Sequence, residues 1–263
     1  MRETFLKRRP EWLVAALLLG AGCSESRIPV SLPFEAAFNG NPIDCSSENV
    51  ALSDLRLYVA DVQAKMADGK RLAVPFVEDQ SWQTPSVALI DLENGEDACN
   101  SGTPETRSEL TLLWPAGDVN SLVLTVGVPF SDNHADPLQA PAPLDDSAMH
   151  WHWRSGYKFL RAGIDTDDDG FWLHLGSTGC EGTTGNITGC TQPNRITLEL
   201  DGFVAGRTAA VVHLEQLFHG IDLDDGQAGD CSSGPMEPGC KVVLSNLGLE
   251  AGPARPWLTL EPR

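Results

Sequence analysis

Residues 149–154 read Met-His-Trp-His-Trp-Arg. The 263-residue chain holds seven tryptophans and six histidines in all, so four of them in consecutive positions are more than a strand needs. On a strand, residues two apart share a face. That rule predicts Met149, Trp151 and Trp153 on one side and His150, His152 and Arg154 on the other. One face offers thioether and indole, the other imidazole and guanidinium. Aromatic residues favour strands, so packing accounts for the indoles taken alone. The imidazoles raise a second reading, because imidazole is the commonest ligand for copper and zinc.

Two further histidines sit near other strand-like runs. His134 lies in the polar stretch "SDNHADPL", directly after the apolar "VGVPF". His174 lies within "FWLHLGSTGC", flanked by Phe171, Trp172, Leu173 and Leu175. A buried neutral imidazole needs partners for both nitrogens, which either a satisfied core or a metal ion provides. Two isolated histidines near strand ends, His134 and His174, and a strand bearing Met149, Trp151 and Trp153 could together house a metal site. No H-E-x-x-H or G-x-S-x-G occurs, which weighs against a zinc hydrolase and a serine hydrolase. No C-x-x-C occurs, which disfavours a thioredoxin-like or structural zinc site. A separate candidate is "DTDDDG" at 165–170, where Asp165, Asp167 and Asp169 match the first half of a calcium-binding EF-hand loop. Gly176 stands where that loop needs its last glutamate, and a charged β-turn explains the run equally well. "DLDDGQAGD" at 222–230 is a weaker copy.

These residues must be carried by strands. "SLVLTVGVPF", "FWLHLGS", "NRITLELDGF" and "SVALIDLENG" are dense β-type runs, and "VALSDLRLYVADVQAKMADGKRLAV" holds two apolar runs around an Asp-Gly turn. Turn residues recur throughout. The expected fold is all-β, an antiparallel β-sandwich or open barrel. "VVHLEQLFHG" is the clearest helical stretch, one or two turns with a glycine stop.

The N-terminus reads as an export signal. "MRETFLKRRP" is basic, "WLVAALLLGAG" is apolar but too short to span a membrane, and Cys23 follows small residues as in a bacterial lipobox. Residues 1–22 are expected to be a lipoprotein signal peptide, Cys23 the lipidated residue and 23–29 a tether, with one β domain over 30–263. The expected location is the periplasm or the cell surface, as an outer-membrane lipoprotein held to the membrane by its lipid anchor. Six cysteines remain, an even number that fits an oxidising compartment. Cys180 with Cys190 and Cys231 with Cys240 bracket short loops, which leaves Cys45 with Cys99 as the long-range bridge. Lys and Arg number 18 against 37 Asp and Glu, a net charge of -19. Nucleic acid is excluded as a partner on that balance, because phosphate binding needs a basic surface.

The ordered set "NHADPL", "MHWHWRSGYKFLR" and "FWLHLGSTGC", joined by "LSDLRLYVADV", "VALIDLENG", "VGVPF" and "GCKVVLSNLGL", resembles the MbnP family, the metallo-mystery-pair four-Cys proteins. The similarity runs over about residues 30–250. It implies a periplasmic or surface copper-binding protein that is not an enzyme. It also implies a partner, a di-haem enzyme related to bacterial cytochrome c peroxidases, which oxidises a tryptophan to kynurenine so that the new aromatic amine joins histidines at copper. Carried over, the W-x-W of the family is Trp151 and Trp153, and its histidines are His134 and His174; Met149 could add a sulfur, and His150 and His152, inside the motif, are second-choice ligands. The main alternative is a calcium-stabilised envelope β-sandwich that binds carbohydrate or protein through a Trp-rich face. A copper oxidase or metallohydrolase is a weaker one, since the sequence offers no obvious base.

Overall fold

A computed structural model describes residues 26–224, 230–234, 236–250 and 253–263. The expected signal peptide, Cys23 and the start of the tether lie outside the described residues, as do 225–229 of the second Asp-rich stretch. No helix among the described residues is long and apolar enough to cross a membrane.

In chain order the strands are β1 (Arg27–Phe38), β2 (Asn41–Pro42), β3 (Val50–Met66), β4 (Arg71–Ala73), β5 (Val87–Asp91), β6 (Glu109–Pro115), β7 (Val119–Val126), β8 (His150–His152), β9 (Gly156–Thr166), β10 (Gly170–Gly176), β11 (Thr178–Thr183), β12 (Asn186–Gln192), β13 (Ile196–Asp201), β14 (Thr208–His213) and β15 (Leu258–Pro262). The helices are α1 (Phe130–Asn133), α2 (Leu214–Leu217) and α3 (Pro238–Asn246). The larger sheet runs β10-β9-β3-β7-β13, with β4 and β5 also on β3 and β8 on β9. The smaller runs β15-β14-β1-β2, with β6 also on β1. β11 and β12 pair only with each other.

The two sheets share one apolar core, which takes Leu32 and Phe34 from β1, Leu55, Leu57 and Val59 from β3, Leu122 and Leu124 from β7, Phe171 and Leu173 from β10, and Trp257 before β15. The expected all-β sandwich is therefore what forms. The Asp68-Gly69 turn joins β3 to β4 with Lys65 opposite Arg71. The three disulfides are Cys45–Cys99, Cys180–Cys190 and Cys231–Cys240, as spacing predicts. Three bridges in one chain mark a protein exported to an oxidising compartment. One expectation needs correction. β1 and β14 pair in parallel, not antiparallel. The helix expected over "VVHLEQLFHG" is a single turn, because Val211 to His213 end β14, where Val211 and Val212 pair with β15.

The second face of β3 does not meet water. Asp54, Arg56 and Tyr58 point there, and all three are buried. The segment between α1 and β8 lies over them: the Tyr58 hydroxyl donates to the Pro143 carbonyl at 2.9 Å, and the Tyr157 hydroxyl donates to Leu144 O at 2.6 Å. A second apolar cluster forms beneath it from Tyr58, Val87, Leu89, Val128, Leu144, Met149, Tyr157 and Phe159. Beside it, Arg56 pairs with Asp54 (2.9 Å) and Glu93 (3.2 Å), and Arg161 pairs with Asp54 (2.6 Å). Two cations thus meet two carboxylates. Asp91, the third acid of the group, is 3% exposed. Burial pushes its pKa up to about 8, so it carries its proton at neutral pH.

Candidate metal centre at the end of β10

β10 alternates strictly. Phe171, Leu173 and Leu175 face the core, and Trp172, His174 and Gly176 face the other way. Opposite them on β9, Gly163 pairs with Trp172 and Arg161 with His174. Gly163 is there because the Trp172 ring lies over it: a Cβ would stand 3.1 Å from Trp172 Cε3. The far edge of β10 is held by the segment around Cys231. His174 N donates to Cys231 O at 2.7 Å, while the Ser233 hydroxyl donates to His174 O (2.8 Å) and accepts from Gly176 N (2.9 Å).

His174 is fixed, but its ring is not satisfied. Nε2 is buried with no hydrogen-bond partner among the described residues. Burial, reinforced by the charges of Arg161 and Lys158, pushes its pKa down to about 4. The imidazole is therefore neutral at physiological pH and keeps a lone pair available. Leaving a buried polar atom unpaired costs about 1–3 kcal/mol. A metal ligand without its metal is in that condition.

Trp151 reaches the same end of β10. A Cβ on Gly176 would stand 3.0 Å from Trp151 Cε3 and 3.1 Å from Cζ3, so the benzenoid edge of the indole rests on Gly176, two residues beyond His174. His134 arrives from α1, whose end is tied to the turn between β8 and β9. Asn133 Nδ2 donates to Ser155 O (3.0 Å), and Tyr157 N donates to Asn133 Oδ1 (2.8 Å). Gly156, at φ +78°, makes that docking possible, since a Cβ there would lie 2.2 Å from Asn133 O. His134 Nε2 is 3.2 Å from Asn133 Nδ2 and 3.5 Å from Cys190 Sγ, just past Gly176 in the β11–β12 hairpin. His134 Nδ1 is buried without a partner among the described residues, and burial lowers the pKa of the ring.

The remaining candidates are placed differently. The predicted two-face strand does not form, because β8 is only three residues long and the chain turns again at 153–155. Met149 precedes it, fully buried in the second apolar cluster, where it packs rather than lining a face with the indoles. His150 stacks edge-to-face on Tyr157 at 5.3 Å. Trp153 is at the outer corner, with the exposed His152 ring at 5.5 Å and the Arg154 guanidinium 5.0 Å over its face. Asp165, Asp167 and Asp169 do not make an EF-hand loop. Asp165 pairs with Gly170 across a tight β9–β10 turn, and Gly176 is at the far end of β10. The charged-turn reading is the one the chain adopts.

Among the described residues, two groups of side chains each bring their donor atoms within 4.8 Å of one another: His134 with Cys180 and Cys190, and Cys231 with Glu237 and Cys240. Both cysteine pairs are disulfides, and the thiolate is the ligating form. Sequence reasoning missed Asn133, Gly156, Gly176 and Arg161, which position the candidates; only Gly156 carried a signal, as a glycine after a Trp-rich strand. The two unpartnered imidazole nitrogens, both neutral, fit a nitrogen-binding metal such as copper.

Comparison with known proteins finds a family and a fold for the chain. The family model described as MbnP matches residues 27–233. A solved structure, MbnP from Methylosinus trichosporium, has the same fold: TM-score 0.76 at 24% identity, covering 90% of this chain and 99% of that one. A search of curated proteins finds no match.

Proposed function

Because this chain belongs to the MbnP family, we propose that it is a cell-envelope copper-binding protein whose site is completed by oxidation of Trp151 to kynurenine. The observation that carries the reading is the pair of buried, unpartnered nitrogens, His134 Nδ1 and His174 Nε2, on segments that both adjoin the end of β10 where Trp151 rests. Trp151 is preferred to Trp153 because it contacts β10, whereas Trp153 is engaged by Arg154 at the outer corner.

Unmodified indole offers only an N–H donor. Cleavage of its C2–C3 bond adds two oxygen atoms. A di-haem partner supplies them from two molecules of a peroxide oxidant, each leaving as water. Hydrolysis of the resulting formyl group releases formate and leaves an aryl amine and a ketone. His134, His174 and that amine would then hold copper, which supplies redox and Lewis-acid chemistry when bound. The chain's own contribution is fixed imidazoles, a neutral protonation state and an indole held against a glycine. The protein is the substrate of the oxidising enzyme and not itself an enzyme, and lipidation at Cys23 would anchor it to the membrane.

The test is expression with and without the haem partner, followed by metal analysis and peptide mass spectrometry. We expect copper and a modified residue 151 only with the partner. Trp151→Phe, His134→Ala or His174→Ala should each lose copper, while Trp153→Phe keeps it. Copper bound equally by Trp151→Phe would overturn the proposal.

A further inference from the structure

We propose that the Cys180–Cys190 disulfide gates a second copper site, in which the two sulfurs, once reduced, join His134 as a three-donor site for Cu(I).

Three observations lead there. The donor atoms of His134, Cys180 and Cys190 already lie within 4.8 Å of one another, with His134 Nε2 3.5 Å from Cys190 Sγ. A closed-shell ion that bonds sulfur at about 2.3 Å needs donors roughly 4 Å apart, so the two sulfurs, about 2 Å apart while bonded, must separate by about 2 Å once the bridge opens, within the reach of side-chain rotation. Second, the bridge is in the hairpin of β11 and β12, which pairs with no other strand. Cys180 and Cys190 face each other directly in that ladder. Opening it leaves both large sheets in register. Third, Cys190 is partly exposed, whereas Cys45, Cys99, Cys231 and Cys240 are all buried at 4% exposure or less. A reductant therefore meets this bridge first. The other sulfur-rich group, Cys231 with Glu237 and Cys240, is part of the main core and lacks that access.

The redox step balances with an external dithiol. The dithiol gives two electrons and two protons to the S–S bond and becomes a disulfide, leaving two thiols on the hairpin. Those protons leave as Cu(I) binds. Thiolate ligands favour Cu(I) over hard cations. His134 is common to this site and to the one proposed above, through opposite nitrogens, but this site needs no tryptophan oxidation.

The experiment uses the full exported chain carrying Trp151→Phe and made without a haem partner, so that its outcome is independent of kynurenine. Graded dithiothreitol followed by alkylation and mass spectrometry shows which bridge opens first. Competition with a chromogenic Cu(I) chelator then measures binding. We expect Cys180–Cys190 to open first, and one Cu(I) to bind at least about tenfold more tightly than to the oxidised chain. Cys180→Ser with Cys190→Ser should abolish the gain, with folding checked by circular dichroism. His134→Ala, which keeps both thiols, should weaken it by about tenfold or more. Earlier opening of another bridge, no gain on reduction, or unchanged affinity in His134→Ala each overturns the proposal.

Discussion

Gly176→Ala tests the contact that sets Trp151 beside His174. The new methyl would meet Tyr157 O at 2.7 Å, Trp151 Cε3 at 3.0 Å and Trp151 Cζ3 at 3.1 Å. Carbon–carbon contacts are comfortable at about 3.5–4.0 Å, so the ring must withdraw by roughly half an ångström or more. The carbonyl is backbone of β9, where Tyr157 pairs with His150 of β8, and cannot withdraw alone. Overpacking of this kind costs about 1–3 kcal/mol. In a chain of this size each kcal/mol lowers Tm by about 2–4 °C, so a loss of roughly 2–12 °C is expected by circular dichroism. Gly189→Ala is the control, because nothing lies within 4 Å of a Cβ there. Its effect should stay within about 0.5 kcal/mol. Trp151→Ala in the Gly176→Ala background removes the ring contacts and leaves the carbonyl one. The double-mutant cycle should therefore show coupling of about 0.5–3 kcal/mol. With the haem partner, Gly176→Ala should also lower oxidation of residue 151 by peptide mass spectrometry. A variant that melts like the parent, shows no coupling and is oxidised normally would refute the placement of Trp151.

Asp91 predicts a pH slope. Its folded pKa, about 8, stands above the ordinary aspartate value of 3.8. The folded state holds the proton that the unfolded state releases, so this group's contribution is full below about pH 4 and is lost as pH rises toward 8. Asp91→Asn should flatten the decline in denaturant-derived stability over that window; a steeper decline would contradict it. The disulfides predict a ranking. Cys45–Cys99 spans 54 residues and Cys180–Cys190 spans 10. On loop entropy, replacing each pair by serine should cost about 4 and about 3 kcal/mol respectively, read from urea midpoints.

Much of the arrangement was legible because it is local. The Asp-Gly hairpin, the two short cysteine loops and the β-type runs are each written within a few residues. His134 and His174 stood out as imidazoles in unusual company. What escaped is what distance creates. "LSDLRLY" reads as a strand with one wet face, but Asp54, Arg56 and Tyr58 are covered by a segment some ninety residues downstream, and no local pattern announces a lid. Met149 and Trp151 separated because β8 is too short to impose alternation. α3 was missed since Val242, Val243 and Leu244 carry strand propensity, and Pro238 at its first turn starts a helix only where packing against the core rewards it.

The small sheet sets β1, formed near the start of the described chain, directly between β14 and β2, with the closing β15 on the outside. Phe34 can find Ala210, its parallel partner, only after nearly everything between them has been synthesised. Contacts of such long range make assembly slow. Such an order of assembly suits an exported chain, since the small sheet can close late, in the oxidising compartment where the three bridges also form.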